Sequence, residues 1–376
     1  MSAPVITPLN EFITLQRGFD LPEEQRKPGS IPVVASRSIV GFHSEKRVEA
    51  PGVVIGRSGS IGGGQYLDEP FWPLNTTLWV KDFKGHNPRY VYYLLKSIDF
   101  TSFNVGAGVP TLNRNHLAGI KVKNISHDQE IKIANTIAKY DDLIENNKRR
   151  IALLEESARL LYREWFVHFR FPGHEHVKII SGLPEGWSEL KIEEVGEVVT
   201  GKTPLTKKSN YYGGLIPFVK TPDMHGNVYV LNTDQTLTEE GAATQANKFI
   251  PKDSLIVSCI GTLGVVAISA TDCQTNQQIN SVVPFDSNHN LYLYFTFKML
   301  KPRLEAMGGG ATMGNVNKSK FSSLNIVMPS GFLLNAFKDF ADPVFQQILI
   351  LQKQNQKLTQ ARDILLPRLM NGDLAV

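Results

Sequence analysis

The residues best able to do chemistry in this chain lie in two sets of polar loops. Ser36, Arg37 and Ser38 follow the strand-like string IPVVA, and Arg57 and Ser58 head a glycine-rich turn, RSGSIG, at 57–62. Thr111, Asn113 and Arg114 follow Gly106 and Gly108. A second set contains Lys220, Thr221 and Asp223, then Asn315, Asn317, Lys318 and Lys320 after the run Gly308, Gly309, Gly310. Arg and Lys can donate to guanine O6 and N7 or to phosphate, Ser and Thr can serve a backbone or a base edge, and Asp can accept from a cytosine amine. That is the chemistry of contact rather than of bond making. For each single residue, solvent-facing loop decoration is the competing reading.

Several strings imitate catalytic or cofactor motifs. GEVVTGKT at 196–203 satisfies the phosphate-loop pattern, in which Lys202 would reach phosphates and Thr203 would bind magnesium. Val198, Val199 and Thr200 are β-branched where flexible backbone donors are wanted, and Pro204 follows at once. The run IGRSGSIGGG at 55–64 lacks dinucleotide-fingerprint spacing, so a turn explains it. His174, Glu175 and His176 offer no convincing fourth ligand for a metal. Cys259 and Cys273 read as small buried thiols. No Ser, His and Asp constellation is indicated, nor an Asn or Asp, Pro, Pro, aromatic string of the amino-methyltransferase kind. The aromatic segments at 90–93 and 292–297 have helical spacing that favours core packing over base stacking.

The elements that must position the loops form an internal repeat. IPVVASRSIVG at 31–41 parallels IPFVKTPDMHG at 216–226, and RSGSIG at 57–62 parallels CIGTLG at 259–264. YVYYLLK at 90–96 parallels YLYFTFK at 292–298, and GAGVPTLNRNHLAGIKV at 106–122 parallels GGATMGNVNKSKFSSLNIV at 309–327. A long helix-like stretch follows each copy. In the first, Ile137, Tyr140, Ile144, Asn147, Ile151, Leu154, Ala158, Leu161 and Trp165 recur three and four apart. In the second, Ala341, Val344, Ile348, Leu351, Asn355, Leu358 and Leu365 keep that spacing, with Arg362 interrupting. Each stripe is a seam with one central Asn, and pairing of the two within one chain is the economical burial. Docking of each stripe on its own globular neighbour, or a homodimer, is the alternative.

The order is globular, helix, globular, helix, with boundaries at 1–126, 127–171, 172–331 and 332–376. A chain of 376 residues that is 42% hydrophobic can fill more than one core, which excludes global disorder. Two cysteines and no signal-like or membrane-length apolar stretch lead to a cytoplasmic expectation. The formal charge of +4 announces no nucleic-acid partner by itself, although residues 1–126 carry 14 basic against 10 acidic side chains. The repeat alone fits a pseudo-symmetric duplex reader, a protein scaffold or a duplicated enzyme.

Four strings carry a resemblance: LPEGWSELKIEEVGEVVTGKTP at 183–204, NQQINSVVP at 276–284, GGGATMGNVNKSKFSSLNIVMP at 308–329 and LTQARDILLPRLMNGDL at 358–374. With the duplicated units and both helices, the chain resembles a specificity (S) subunit of a type I restriction-modification enzyme over nearly its whole length. The resemblance implies an α+β fold with two similar mixed α/β target-recognition domains. Two long helices would join and space them as an antiparallel intramolecular coiled coil with pseudo-two-fold symmetry. It also implies a subunit without catalytic residues that reads a bipartite target in double-stranded DNA. Such a subunit recruits two methyltransferase (modification) subunits and, through them, restriction subunits. S-adenosylmethionine, ATP and Mg2+ are then the partners' cofactors and none is bound by this chain.

Carried onto this sequence, the family's recognition surface falls on the loops at 36–38, 57–60, including Ser60, and 111–114. In the second unit it falls at 202–208, including Lys202, Lys207 and Lys208, then at 220–223 and 315–320. The methyltransferase-facing surface is expected on non-seam helix faces that include Arg149, Arg150, Arg159, Gln352 and Gln356. The first unit lacks the fuller LPEGW-type opening, so the C-terminal tail is expected to contact that unit and complete its edge. The alternative function is a duplicated protein-interaction scaffold without DNA specificity.

Overall fold

The computed structural model describes residues 5–106, 108–309 and 314–374, so Gly310 lies outside the described residues. The chain divides into two compact units, Met1–Ile144 with Lys357–Val376, and Glu145–Gln356. Both long helices pass through that division, so each unit contains a stretch of each helix.

The first unit is built on a four-stranded antiparallel sheet in the spatial order Thr14–Arg17, Thr77–Asp82, Gly52–Gly56, Gly62–Leu67. The strand Gly52–Gly56 is buried along its whole length, which is why GVVIG reads as an apolar run without alternation. A second sheet places Ile31–Val34 between Ile39–His43, antiparallel, and Trp72–Pro73, parallel. The helix Pro88–Ser97 starts with Pro at a position that needs no N–H, and the Asn87 side chain accepts from Tyr90 N. Its apolar face buries Tyr90, Val91, Tyr93, Leu94 and Leu95.

The second unit repeats this plan. Its main sheet runs Gly196–Thr200, Ile279–Pro284, Leu255–Ser258, Val266–Ser269, with Tyr229–Val230 added in parallel at the end. Its second sheet places Tyr212–Val219 between Gln235–Leu237, antiparallel, and Gln274–Thr275, parallel. The helix Asn290–Met299 buries Tyr292, Tyr294, Phe295 and Phe297, so both aromatic segments are core, as their spacing predicts. The turn strings match in backbone conformation too. Gly59 and Gly62 have φ of +80° and +73°, and Gly261 and Gly264 have +76° and +74°, the left-handed region that a side chain resists.

The repeat extends further than the strings suggest. Val5–Pro8 pairs antiparallel with Lys121–Asn124, as Ser188–Lys191 pairs with Asn325–Met328. One turn of helix and the first sheet strand follow in both units. The first unit therefore has its own opening strand; string comparison missed it because backbone pairing repeats there while side chains do not. The tail joins the same unit in a different way. Leu366, Leu369 and Met370 are buried in its core, Leu374 packs against it, and Lys123 Nζ donates to Asn371 O.

The first long helix spans His127–Tyr162 and continues as a π-turn over Arg163–Val167; the second spans Gly331–Met370. In the second unit Asn147 Nδ2 donates to Asn355 Oδ1 at 2.9 Å, and Phe337 lies 6.2 Å from Tyr162 and 6.3 Å from Trp165 between ring centroids. Partners advance along one helix as they recede along the other, which is antiparallel pairing. In the first unit Ile133 and Ile137 share a core with Leu366 and Leu369, and Arg362 Nη1 donates to Asp141 Oδ1 at 2.7 Å.

Seam residues Ile137, Ile144, Asn147, Ala158, Ala341, Ile348 and Leu351 are buried. Tyr140, Ile151, Leu154, Leu161, Trp165, Val344, Asn355, Leu358 and Leu365 are half-buried. One hydrogen bond joins the two central Asn side chains, a pairing that ties register to a polar contact at some cost in stability. Arg362 is no interruption. It bonds across to Asp141, whose other oxygen accepts from Tyr93 OH at 2.8 Å, so the charge clasps the seam to the globular core.

Candidate nucleic-acid interface

In the first unit the loop before Arg114–Leu117 closes onto the turn at 57–62 through backbone bonds. Gly59 N donates to Pro110 O at 3.0 Å, Leu112 N donates to Arg57 O at 2.8 Å, and Ser58 bridges Thr111. Asn113 then caps the helix, accepting from Asn115 N at 3.0 Å. The second unit makes the same set. Gly261 N donates to Gly314 O at 3.0 Å, Val316 N donates to Cys259 O at 2.8 Å, Ile260 bridges Asn315, and Asn317 caps Lys318–Ser322 by accepting from Lys320 N at 2.9 Å. Asn113 and Asn317 are thus equivalent, and both spend a side-chain oxygen on the backbone.

This closure leaves a cleft of about 550 Å³ in the first unit, lined by Gln16, Arg17, Arg57, Leu78, Val105, Thr111, Leu112, Asn113 and Arg114. Arg57 Nη1 donates to Asn75 O at 3.1 Å, and Arg17 Nε donates to the same oxygen at 3.4 Å. Burial, and then the Arg17 charge, push the Arg57 pKa down from its ordinary value. A guanidinium starts so high that the group stays charged near neutrality. Two cations therefore share one carbonyl beside open space.

The other expected residues of this unit take different positions. Ser36 Oγ lies 2.8 Å from Ser58 O and 2.7 Å from Thr76 O, so its single proton holds one loop to another. Arg37 and Ser38 are exposed, and Ala35 N donates to Ser38 O to close their turn. Ser58 and Ser60 are half-buried, and Thr111 Oγ1 donates to Val109 O at 3.0 Å.

In the second unit Lys220 Nζ donates to Gln235 Oε1 at 2.6 Å and lies 5.9 Å from the centre of the Phe218 ring. Asp223 accepts from Lys220 N at 2.8 Å and from Asp234 N at 2.9 Å, so both its oxygens hold backbone. Thr221 is buried, and its hydroxyl has no hydrogen-bond partner among the described residues. Lys208 Nζ donates to Tyr211 OH at 3.0 Å, and that bond raises the lysine's pKa. Asn315 is exposed. Arg37, Arg114, Lys202, Lys207, Lys318 and Lys320 are exposed and make no side-chain hydrogen bond or ion pair among the described residues.

The phosphate-loop imitation is resolved by the sheet. Gly201 N donates to Ile279 O at 3.1 Å and Lys202 N donates to Thr275 O at 2.9 Å, so those backbone donors are already engaged. Burial pushes the thiol of Cys259 up to about 11 and that of Cys273 up to about 12, away from nucleophilic chemistry. Among the described residues no group of three or more His, Cys, Asp or Glu side chains is placed to hold a metal ion, and no helix is long and apolar enough to cross a membrane.

On the helices Arg149 lies 3.8 Å from Glu145, Arg159 donates to Glu156 at 2.6 Å and 2.5 Å, and Arg150 is exposed. Gln352 corrects the sequence expectation. It is buried, accepts from Tyr229 N at 3.0 Å and donates to Tyr229 O at 3.1 Å, extending the main sheet's edge rather than facing outward. Gln356 Nε2 donates to Asn232 Oδ1 at 2.8 Å.

Sequence reasoning missed Arg17. Its signal was the next residue: an added Cβ at Gly18 or Gly201 would meet backbone oxygens at 2.2 Å, so the two glycines mark one position of the repeat and set Arg17 opposite Thr200.

Comparison with known proteins gives a consistent picture. The sequence profile described as "Type I restriction modification DNA specificity domain" matches residues 5–156 and 184–360. The type I restriction enzyme HindI specificity subunit of Haemophilus influenzae is 28% identical over 356 residues, covering 76% of this chain and 77% of that one. The type I restriction enzyme MjaIX specificity subunit of Methanocaldococcus jannaschii is 25% identical over 301 residues, covering 77% and 69%. The crystal structure of the type I restriction-modification S subunit from M. genitalium superposes with a TM-score of 0.59 at 16% identity, over 97% of this chain and 96% of that one, a likeness of fold.

Proposed function

The chain belongs to the type I restriction modification DNA specificity family, and from that premise we propose that its two units read two separate halves of one DNA target. It is a DNA-target recognition subunit, without catalysis of its own. The repeated closure of a capped loop onto a glycine turn supports this reading most directly. Each unit thereby presents basic and uncharged polar side chains on the same backbone frame, Arg57, Thr111 and Arg114 in one and Asn315, Lys318 and Lys320 in the other. Exposed cations suit phosphates, which fix position; oriented planar groups suit base edges, which carry sequence.

In this reading the loops at 36–38, 57–60 and 111–114 face one half-site, and those at 202–208, 220–223 and 315–320 the other. The outer faces of the long helices receive two methyltransferase subunits, through which restriction subunits join. S-adenosylmethionine, ATP and Mg2+ belong to those partners. Binding depends strongly on salt, because each neutralised phosphate releases counterions.

The test is to assemble the chain with its methyltransferase partner, modify random-sequence DNA and map the methylated adenines. The expected result is two short specified blocks separated by an unspecified spacer of fixed length. Methylation in one uninterrupted block, or without sequence preference, overturns the two-reader arrangement and favours a scaffold.

A further inference from the structure

We propose that Arg57, with Arg17 beside it, reads the major-groove edge of a guanine in the half-site taken by the first unit. This rests on the reading above that the first unit binds one half of a DNA target.

The cleft geometry selects the ligand chemistry. Asn75 O takes one N–H from each guanidinium and so orients both planar groups, leaving their remaining donors without hydrogen-bond partners among the described residues. What they lack is acceptors. In the major groove guanine alone offers two, O6 and N7, whereas adenine pairs an acceptor with a donor and cytosine offers a donor. Phosphate is the other acceptor-rich group on DNA, and Arg114 suits it better: it lines the same cleft, is exposed and has no side-chain partner among the described residues. Arg57 is instead half-buried and held in orientation, the condition for reading an edge.

The second unit shows that the fold does not require these cations. Arg57 corresponds to Cys259 through the shared bonds Leu112 N to Arg57 O and Val316 N to Cys259 O. Arg17 corresponds to Thr200, each ending the first strand of the main sheet opposite the equivalent residues Leu78 and Asn280. The same frame closes around a thiol and a hydroxyl. Two like charges on one carbonyl repel each other in the free protein, and an acceptor pair between them relieves that repulsion.

The experiment uses the full chain assembled with its methyltransferase partner and duplexes built on the mapped target, in competition binding. One arm replaces each target guanine by 7-deazaguanine, which deletes N7 but keeps Watson–Crick pairing and every phosphate. The other arm compares wild type with Arg57→Cys and Arg17→Thr, the residues the second unit carries at these positions. Wild type should lose about 5- to 140-fold in affinity at one guanine of one half-site. Arg57→Cys should abolish that sensitivity while the other half-site keeps its preferences, and Arg17→Thr should reduce it. If Arg57→Cys fails to assemble, Arg57→Met serves, since it keeps the length of the side chain without any N–H donor; it too should lose the N7 sensitivity.

Uniform weakening across all sequences with a shallower salt dependence marks a phosphate contact and overturns the proposal. So does a half-site without guanine, or unchanged N7 sensitivity in either Arg57 variant. A wild-type complex with no half-site preference overturns the underlying two-reader function as well, which separates the two failures.

Discussion

The two units share a backbone frame and differ in what they set upon it. At four equivalent positions the first unit has Arg17, Arg57, Leu78 and Arg114, and the second has Thr200, Cys259, Asn280 and Lys318. In the first, a buried leucine underlies guanidiniums that share one backbone oxygen. In the second, Asn280 accepts from Thr200 Oγ1 at 2.6 Å and donates to Val316 O at 3.4 Å, while the Cys259 thiol is buried. One polar arrangement is charged and opens on a cleft; the other is neutral and self-satisfied. The frame is held by backbone bonds that form alike around Arg57 and around Cys259, so recognition chemistry can change at those positions without disturbing it.

The sharpest way to break that comparison is to exchange residues across it. Cys259→Arg should cost about 3–5 kcal/mol, because it buries a charge where the neighbouring polar groups are already paired. Arg57→Cys should cost under about 1 kcal/mol. Denaturant unfolding of the two variants measures the asymmetry, and equal costs would mean that the sites are interchangeable.

The helix starts offer a second contrast. Glu130 and Leu334 are equivalent, each N–H donating to a serine carbonyl four residues back. Leu334 is buried apolar surface, whereas Glu130 is a buried carboxylate accepting from Asn87 N at 2.8 Å and lying 2.6 Å from His86 Nδ1. Leu334→Ala should cost about 2–4 kcal/mol through the cavity it leaves. Glu130→Ala should cost about 1–3 kcal/mol, because it strands the half-buried Asn87 N–H.

Where the units agree, the effects should agree. Asn113→Ala and Asn317→Ala should each cost about 0.5–2 kcal/mol, and Asn→Asp at either position should restore most of it, because a carboxylate caps as well as an amide does. A residue whose main task is a base or phosphate contact would not be rescued in stability by that change.

The smallest effect is a rate. Both cysteines lie in the second unit, and burial holds their thiols at about 11 and about 12. At pH 8 the folded chain should therefore alkylate far more slowly than the unfolded one, since the thiolate is the nucleophile. Because the first unit has no thiol, alkylation under partly denaturing conditions reports the opening of the second unit alone.

Much of this was legible in the sequence because it rests on local periodicity. The seam from Ile137 to Leu365 is written in three and four spacing, and the aromatic helices bury the faces that their spacing picks out. The repeat strings identified the shared turns, since Gly59 and Gly261 must occupy the same left-handed conformation. The first unit's opening strand was invisible to that method, because a strand is defined by its hydrogen-bonded partner and VITP shares little with SELK.

The candidate site was legible by residue type and not by role. A loop rich in Arg, Asn and Ser announces polar contact, but whether Ser36 joins two loops or Arg57 stands beside open space depends on where distant chain returns. Arg17 and Arg57 meet at Asn75, and Gln352 reaches Tyr229 across most of the second unit's sequence. Sequence by itself determined the two repeated units and the two helical stripes, because each is a pattern in neighbouring residues, while the pairing of those stripes with each other came from the fold. Tertiary structure alone decided which polar groups are spent on the protein and which remain to be satisfied from outside, because a hydrogen bond needs its partner within about 3 Å and only folding sets that distance.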